Sequence, residues 1–331
     1  MCSKITFYLP KNCLPHSIWE QAWKEKAPFP AEKIIPPVLS AQSWIYQTWL
    51  LLKEAGVPCD LATEMPSQGI VIALNSSLEF FGQWKKVVPR EVFFVDIVTQ
   101  HLVHPSAHFH LVQNKNRARY LPDSLFVPHW PQPHLLPRDK ARGDLFENAY
   151  FVGQFYQCHQ DIFSFEWLQQ VRRRVGLYVE LPSIESWHDY RNADVIIALR
   201  NDARSQHFHK PATKLYNAWH AGVPFVGGKE SGYAAEGEMG KNYLQARSPA
   251  EAITHLIRLK EDLAFRKQLV KQGKEASKNV STAAILSYWK FLVLEKLPAL
   301  AEAFYQQSSQ QRRYFFMRKK MILIANRHFR I

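Results

Sequence analysis

The sequence predicts an α/β protein with two doubly wound domains. Three observations predict it: short apolar runs alternate with longer segments of helical period, the chain has 331 residues, and a proline-dense segment divides it near residue 130. Strands that alternate with helices are typical of parallel βαβ units. At roughly 150 residues per domain, the length corresponds to two such units, which we expect to face each other across a cleft.

The first half carries four apolar runs that predict strands over 5–9, 69–74, 92–97 and 109–112. Between the first two runs, apolar residues with a period of 3.6 predict a helix over 43–54. Glycine and proline follow this helix directly and are expected to end it. Together these elements predict an N-terminal Rossmann-like domain over residues 1–130.

The second half repeats the pattern more regularly. Its predicted strands cover 149–152, 177–181, 194–199 and 224–226, and its predicted helices cover 162–174, 212–221, 249–259 and 262–277. These elements predict a second Rossmann-like domain over 131–282. A helix over 283–306 is expected to cross both domains and to lead into a basic amphipathic tail over 307–331.

Composition excludes both a disordered chain and a membrane-spanning one. Hydrophobic residues make up 47% of the sequence and aromatic residues 13%, which is enough for extensive cores. The sequence contains no run of about 18 consecutive apolar residues. The four cysteines are scattered, and no secretory signal opens the chain. We therefore expect a cytoplasmic protein, peripheral at the inner face of a membrane if its tail binds lipid.

The positive charge is concentrated in the tail. The chain carries 42 basic and 29 acidic side chains, a net charge of +13. No acidic residue follows Glu302, whereas these basic residues do: Arg312, Arg313, Arg318, Lys319, Lys320, Arg327 and Arg330. At about 100° per residue, all of them except Arg318 fall within an arc of roughly 120° on a helix. This pattern predicts either a helix in an anionic membrane interface, through residues 310–331, or a terminal helix that covers the N-terminal domain.

The most informative segment covers residues 210–231. Its helix begins with Lys210, Thr213 and Lys214 and has no carboxylate there, although a helix N-terminus favours acidic residues. The arrangement becomes favourable once an anion binds, because free backbone N–H groups, the hydroxyl and both ammonium groups would converge on it. A diphosphate fits this description, and two solvated surface lysines are the alternative. Asn217 shares the same edge of the helix.

Glu230 adds a carboxylate close to this helix. It follows a predicted strand and two glycines, at the carboxyl end of the strand, where open α/β sheets bind ligands. A carboxylate there can accept hydrogen bonds from both hydroxyl groups of a ribose, and the glycines would let a ligand approach the backbone. A solvated loop glutamate is the alternative for Glu230 taken alone.

This segment, together with Ser231 at its end, resembles the donor-binding segment of GT-B glycosyltransferases. In that fold a strand–helix–strand unit of the C-terminal domain holds a nucleotide diphosphate and ends in a ribose-binding glutamate. The resemblance implies further donor contacts from Arg200, which follows the strand over 194–199, and from Gly153 at the first glycine turn of the domain. Asn217 stands where the commoner retaining pattern has its first glutamate.

The resemblance implies a metal-independent glycosyltransferase that moves a sugar from a nucleotide-diphosphate donor to an acceptor, without a cofactor. The C-terminal domain would hold the donor, and the N-terminal domain would hold the acceptor, an unidentified glycan or lipid-linked molecule. A helix dipole and basic side chains would offset the charge of the leaving diphosphate. Two alternatives remain open: a sugar-nucleotide epimerase on the same fold, and a noncatalytic nucleotide- or polyanion-binding module. Nucleic acid is not an expected partner, since only the tail favours it.

An inverting mechanism would need a general base in the N-terminal domain. Asp96, near the end of a predicted strand, is the first candidate, and His101 and His104 lie just beyond it. A strand-end cap or a satisfied buried partner is the alternative for each. The histidines between residues 101 and 134 lack a clean ligand pair on one predicted helix, so we do not expect a metal site.

Overall fold

The computed structural model describes residues 4–13, 40–75, 78–80, 83–84, 88–99, 103–200 and 207–328. Within these ranges the chain forms a six-stranded sheet and a five-stranded sheet, both parallel, with helices packed against them. A two-stranded antiparallel pair accompanies the first sheet. The predicted α/β class with two doubly wound units is therefore confirmed.

The first sheet has the strand order β2-β1-β3-β6-β7-β8. The strands of this half, including the antiparallel pair β4 and β5, are β1 (Ile5–Tyr8), β2 (Asp60–Ala62), β3 (Gln68–Leu74), β4 (Glu79–Phe80), β5 (Gln83–Trp84), β6 (Glu91–Val98), β7 (Phe109–Val112) and β8 (Ser124–Phe126). The four predicted strands correspond to β1, β3, β6 and β7. The sequence does not predict β2 and β8, because each has three partly buried or exposed residues and no apolar run.

A helical segment packs on this sheet at the position where the apolar period predicts a helix. A π-helical turn (Gln42–Tyr46) leads into α1 (Gln47–Glu54), and this segment buries Trp44, Ile45 and Leu52 against the sheet. A second, short helix, α2 (Lys115–Tyr120), follows β7. The Asn114 side chain caps it, since its amide oxygen accepts from the backbone N–H two residues on at 3.0 Å.

The second sheet has the order β10-β9-β11-β12-β13. Its strands are β9 (Asn148–Tyr150), β10 (Tyr178–Glu180), β11 (Val195–Ala198), β12 (Phe225–Gly227) and β13 (Leu244–Gln245). Four of them match the predicted strands, and β13 is not predicted because it has only two residues. Its helices are α3 (Phe165–Val175), α4 (Thr213–Ala221), α5 (Ser231–Glu236), α6 (Pro249–Glu261) and α7 (Leu263–Ser277).

Local sequence signals set the limits of these helices. The hydroxyl groups of Ser164 and Ser248 cap α3 and α6, and the Asp262 carboxylate caps α7. Gly222 ends α4 in the left-handed conformation, with φ of +72°, which a side chain would strain. The helix that carries the predicted anion site therefore begins and ends where the sequence predicts.

The linker between the sheets is held on both sides. The buried Trp130 indole N–H donates to the Thr48 hydroxyl of α1 at 2.8 Å. Two residues further, the backbone N–H of Gln132 donates to the amide oxygen of Asn217 in α4 at 3.0 Å. One apolar cluster accordingly continues from the first sheet through Trp130 to α4.

After α7 the chain returns to the first sheet. Helices α8 (Thr282–Phe291) and α9 (Leu297–Tyr305), joined by a π-helical turn, occupy most of the predicted 283–306 helix. The turn precedes Pro298, whose ring would clash with a carbonyl four residues earlier in a regular helix. The rings of Phe7 and Trp289 lie 6.1 Å apart, and those of Phe93 and Phe304 lie 6.0 Å apart.

The tail forms α10 (Ser309–His328), which packs on the first domain. Phe315 and Phe316 contact the apolar cluster, and Lys319, only 1% exposed, donates to the Ala107 carbonyl oxygen at 2.7 Å. The position of Lys319 differs from the predicted solvent- or lipid-facing basic arc, because this side chain is buried against the first domain. Neither α10 nor any other helix in the described ranges is long and apolar enough to cross a bilayer.

Candidate functional site

The carboxyl ends of β9, β11 and β12 meet at one edge of the second sheet. The loops that follow these strands, with the first turn of α4, bring Gly153, Arg200, Lys214 and Glu230 into one cluster. A Cβ atom at Gly153 would lie 2.6 Å from the Lys214 Nζ atom, so a side chain there would displace the lysine. The cluster occupies the position at which open α/β sheets bind ligands.

Lys214 carries the strongest electrostatic signal in this cluster. Its Nζ atom lies 4.3 Å from the centre of the Phe151 ring, which places the ammonium group against an apolar surface. Burial and the neighbouring Arg200 guanidinium lower the pKa of Lys214 to about 7. A bound anion would reverse this shift, because it would replace the lost hydration and balance the positive charges.

Arg200 and Glu230 form an ion pair across the cluster. The Nε and Oε1 atoms lie 3.0 Å apart, and the two side chains are 14% and 4% exposed. The Glu230 carboxylate also interacts with the buried Tyr233 hydroxyl, which donates a hydrogen bond to it. A second nitrogen of Arg200 donates to the Gln157 side chain at 2.9 Å. The Glu230 carboxylate lines the pocket beside this pair, where a ligand hydroxyl can donate to it.

A pocket of about 200 Å³ opens beside this ion pair. Arg200, Glu230 and Gly228 line it, with further cationic or imidazole side chains from His159, His207, Lys229 and Arg247. The sequence pattern does not predict these four residues. Each lies in a loop at the carboxyl edge of the sheet, but Arg247 follows β13, which no apolar run predicts.

Lys210 and Thr213 lie at the start of α4 as predicted. Burial, together with Arg200, lowers the pKa of Lys210. The Thr213 hydroxyl is buried and has no hydrogen-bond partner in the described part of the chain. Both groups are placed to contact an anion at the helix start, and their role in donor binding stays a prediction.

Asn217 and Ser231 do not line the pocket, and their role in donor binding stays a prediction. The Asn217 amide oxygen accepts from the linker backbone at Gln132, and the Ser231 hydroxyl accepts from Asn114 at 2.9 Å. Both side chains are buried. Their partners belong to the linker and to the N-terminal domain, so the structure gives them a part in joining the domains.

Asp96 and His104, the candidate catalytic residues, are buried and do not line the pocket. One Asp96 oxygen accepts from the His104 backbone N–H at 2.9 Å and lies 3.3 Å from His110 Nδ1. Burial raises the pKa of Asp96 to about 7, and burial with Lys319 nearby lowers the pKa of His104 to about 4. The role of either residue as a general base stays a prediction. His101 lies outside the described residues.

Metal ligation receives no support from the described residues. No group of three or more histidine, cysteine, aspartate or glutamate side chains is placed to hold an ion in the part of the chain that the structure describes. The charged groups of the candidate site are instead mostly cationic, which suits an anionic ligand directly.

Two parallel doubly wound units, with a pocket at the carboxyl edge of the second, define the GT-B fold, and comparison with solved structures confirms it. HepE of Anabaena, solved in complex with UDP-glucose, has a TM-score of 0.51 at 12% identity, over 90% of this chain and 100% of HepE. Sucrose-phosphate synthase of Thermosynechococcus elongatus has a TM-score of 0.51 at 12% identity, over 82% of this chain and 81% of that protein.

TarM of S. aureus has a TM-score of 0.50 at 9% identity, over 74% of this chain. The match spans 57% of the length of TarM. No protein-family profile matches the chain, and no curated protein sequence is significantly similar to it. At these identities the likeness establishes the fold.

Proposed function

We propose that this protein is a glycosyltransferase that takes a sugar from a nucleotide-diphosphate donor. One observation carries the proposal: the pocket at the carboxyl edge of the second sheet joins cationic side chains to the buried carboxylate of Glu230. Cations suit the diphosphate and the carboxylate suits ribose hydroxyls. The shared fold, and the UDP-glucose bound to HepE, support this choice of ligand.

In the proposed reaction an acceptor hydroxyl attacks the anomeric carbon of the sugar, the bond between this carbon and the diphosphate oxygen breaks, and the hydroxyl proton passes to the leaving diphosphate. Negative charge then develops on the leaving diphosphate. Lys210, Lys214 and Arg200 would offset this charge together with the N–H groups at the start of α4. We propose that these groups suffice without a metal ion, so activity should persist in a chelator.

The test is a panel of nucleoside diphosphates and their sugars, titrated against thermal melting of the wild-type protein. Stabilisation by one nucleotide series would support the donor site and identify the base. Release of the nucleoside diphosphate from the matching sugar nucleotide is then measured with and without candidate acceptors. Interconversion of sugars without an acceptor would indicate an epimerase, and binding without turnover would indicate a noncatalytic module.

We also propose that the acceptor is membrane-associated and that α10 brings the protein to it. The outer face of α10 exposes Tyr314, Met317 and Met321, which are 64%, 55% and 60% exposed, beside exposed basic residues. Apolar side chains flanked by cations are typical of helices that lie in an anionic membrane interface. Lys319 would not take part, since it is buried in the fold.

Sedimentation with vesicles tests this proposal. We expect binding to vesicles that contain phosphatidylglycerol, weak binding to pure phosphatidylcholine, and loss of binding in the double variant Met317→Glu, Met321→Glu. Met239→Glu is the control, because Met239 is equally exposed at 64% but lies in the second domain. Equal binding of the double variant and this control would exclude α10 as the membrane-binding surface.

A further inference from the structure

The segment that forms the candidate donor site is held from the opposite domain. The side-chain amide of Asn114, which follows β7, donates to the Lys210 carbonyl oxygen at 3.1 Å and to the Ser231 hydroxyl at 2.9 Å. Asn114 is buried, with 1% of its surface exposed. One side chain of the N-terminal domain therefore fixes both ends of the segment that contains α4 and Glu230.

Three neighbours of Asn114 add contacts of the same kind. Gln113 donates to the His209 carbonyl oxygen at 2.6 Å, and Asn116 donates to the Ser231 carbonyl oxygen at 3.3 Å. Lys115 forms an ion pair with Glu236, at the end of α5, at 3.0 Å. These four residues, 113–116, form an interdomain latch.

The latch contacts the backbone directly beside the proposed ligand-binding side chains. Lys210 is itself one of them, and Glu230 immediately precedes Ser231. The packing leaves little space, since a Cβ atom at Gly232 would lie 3.1 Å from the Lys210 carbonyl oxygen and 3.5 Å from the Asn114 amide nitrogen. A shift of Asn114 would therefore move both ends of the segment together.

We propose that Asn114 is a positioning residue, which fixes the backbone at Lys210 and Ser231 and thereby couples donor affinity to the contact between the two domains. The identity of the ligand in this inference rests on the proposed function. The contacts of the latch are those described above and do not depend on that function. Asn114 does not touch the pocket. It acts through Lys210 and Glu230, which approach the ligand only while both domains hold the segment in this arrangement.

The variant Asn114→Ser tests the latch contacts of residue 114 without removing its role as the cap of α2. Serine caps a helix as well as asparagine does, so α2 keeps its cap, but the amide donor to Lys210 and Ser231 is lost. Ser164→Ala is the matched control. It removes the cap of α3, a helix of the second domain, and leaves the latch intact.

Two measurements follow on both variants: hydrogen–deuterium exchange over residues 207–216 and 228–236, and the dissociation constant for UDP. In Asn114→Ser we expect faster exchange in both segments and UDP binding weaker by about tenfold, because loss of the two amide hydrogen bonds releases the backbone beside Lys210 and Glu230. In Ser164→Ala we expect neither. Exchange in Asn114→Ser that equals the wild-type rate overturns the proposal, as does UDP affinity unchanged while exchange rises. If the wild type binds no nucleotide, the proposed function fails, and the exchange rates alone decide whether Asn114 fixes the segment.

Discussion

The two ends of β11 carry buried ion pairs of opposite character. At the amino end, Asp194 accepts hydrogen bonds from Arg138 and Arg142 at 2.7 to 3.0 Å and from two backbone N–H groups at 2.8 and 3.0 Å. At the carboxyl end, Arg200 forms an ion pair at 3.0 Å with Glu230, which follows β12, and both side chains line the pocket. Protein donors enclose the first carboxylate, whereas the second lines a pocket.

The difference separates structural electrostatics from the electrostatics of a binding site. A buried carboxylate with all its acceptor positions used stabilises the fold and has nothing to offer a ligand. An ion pair that lines a pocket can exchange solvent contacts for contacts with a ligand. Substitutions at the amino end should therefore change stability, and substitutions at the carboxyl end should change affinity.

The largest effect is expected from Asp194→Ala. It leaves two guanidinium groups without their shared partner and should lower the free energy of unfolding by about 3–5 kcal/mol, measured by denaturant titration. Burial alone would raise the pKa of the Asp194 carboxyl, but hydrogen bonds from Arg142, the Glu147 backbone and Arg138 outweigh it and lower the pKa. The stabilisation is therefore present above the ordinary aspartate pKa and is lost as pH falls through the native one. Wild-type stability in Asp194→Ala would contradict the assigned role.

Glu230→Gln should have the next largest effect, on ligand affinity. The glutamine keeps the shape but removes the charge, so hydrogen bonds from ribose hydroxyls weaken by about 2 kcal/mol, or roughly thirtyfold in affinity. Calorimetric titration with the nucleotide that stabilises the wild type measures this change. Glu238→Gln is the control, because Glu238 is exposed and pairs only with Lys241 in the described structure. An equal loss in both variants would remove Glu230 from the site.

Lys214→Met should raise stability and lower affinity at once. The unfolded lysine keeps its ordinary pKa and the native one is lowered to about 7, so the unfolded state binds more protons between these values. Wild-type stability should rise with pH across this window, and the variant should lose that dependence and gain about 1 kcal/mol at neutral pH.

Donor affinity provides the second part of the Lys214 test. In the wild type, binding of UDP-glucose should weaken as pH rises above 7, because the site must then take up a proton to bind the diphosphate. Lys214→Met should bind weakly at every pH. A wild-type affinity that is constant from pH 6.5 to 9 would show that Lys214 is not the group that contacts the diphosphate.

The smallest effect is expected from Thr213→Val. Valine matches the shape of threonine and removes a buried hydroxyl that has no partner in the described structure, so stability should rise by about 0.5 kcal/mol. Affinity for the nucleotide should fall about twofold to threefold. The comparison variant is Thr254→Val, whose hydroxyl donates to the Ala250 carbonyl oxygen and whose loss should not affect binding. Lower stability in Thr213→Val would mean that its hydroxyl is satisfied in the native protein.

The sequence predicts the donor segment because its signals are local. Lys214 lies in the first turn of one helix and Glu230 follows the next strand, whereas Arg200 and Gly153 are predicted from the resemblance to GT-B glycosyltransferases. Asp96 shows where such reasoning stops. The strand β6 continues two residues beyond it to Val98, so the carboxylate lies inside a buried sheet instead of at the edge.

The directions of Asn217 and Ser231 also lie beyond sequence reasoning. Helical spacing places Asn217 near Lys214, but hydrogen bonds from the linker and from Asn114, about 85 and 117 residues away in sequence, decide where these side chains point. Likewise, the burial of Lys319 depends on two carbonyl groups of the first domain, at Ala107 and His108. Contacts over such distances leave no periodic signal in the chain.

Because α8, α9 and α10 pack on the first sheet, the first domain can complete its core only after the second domain has been synthesised. The ribosome releases β1 to β8 early, yet Phe7 and Phe93 meet Trp289 and Phe304 only after the whole second domain has emerged. The second domain has all its strands and helices by residue 277 and can fold at once. The first sheet is therefore without the cover of α8, α9 and α10 while the second domain is being translated.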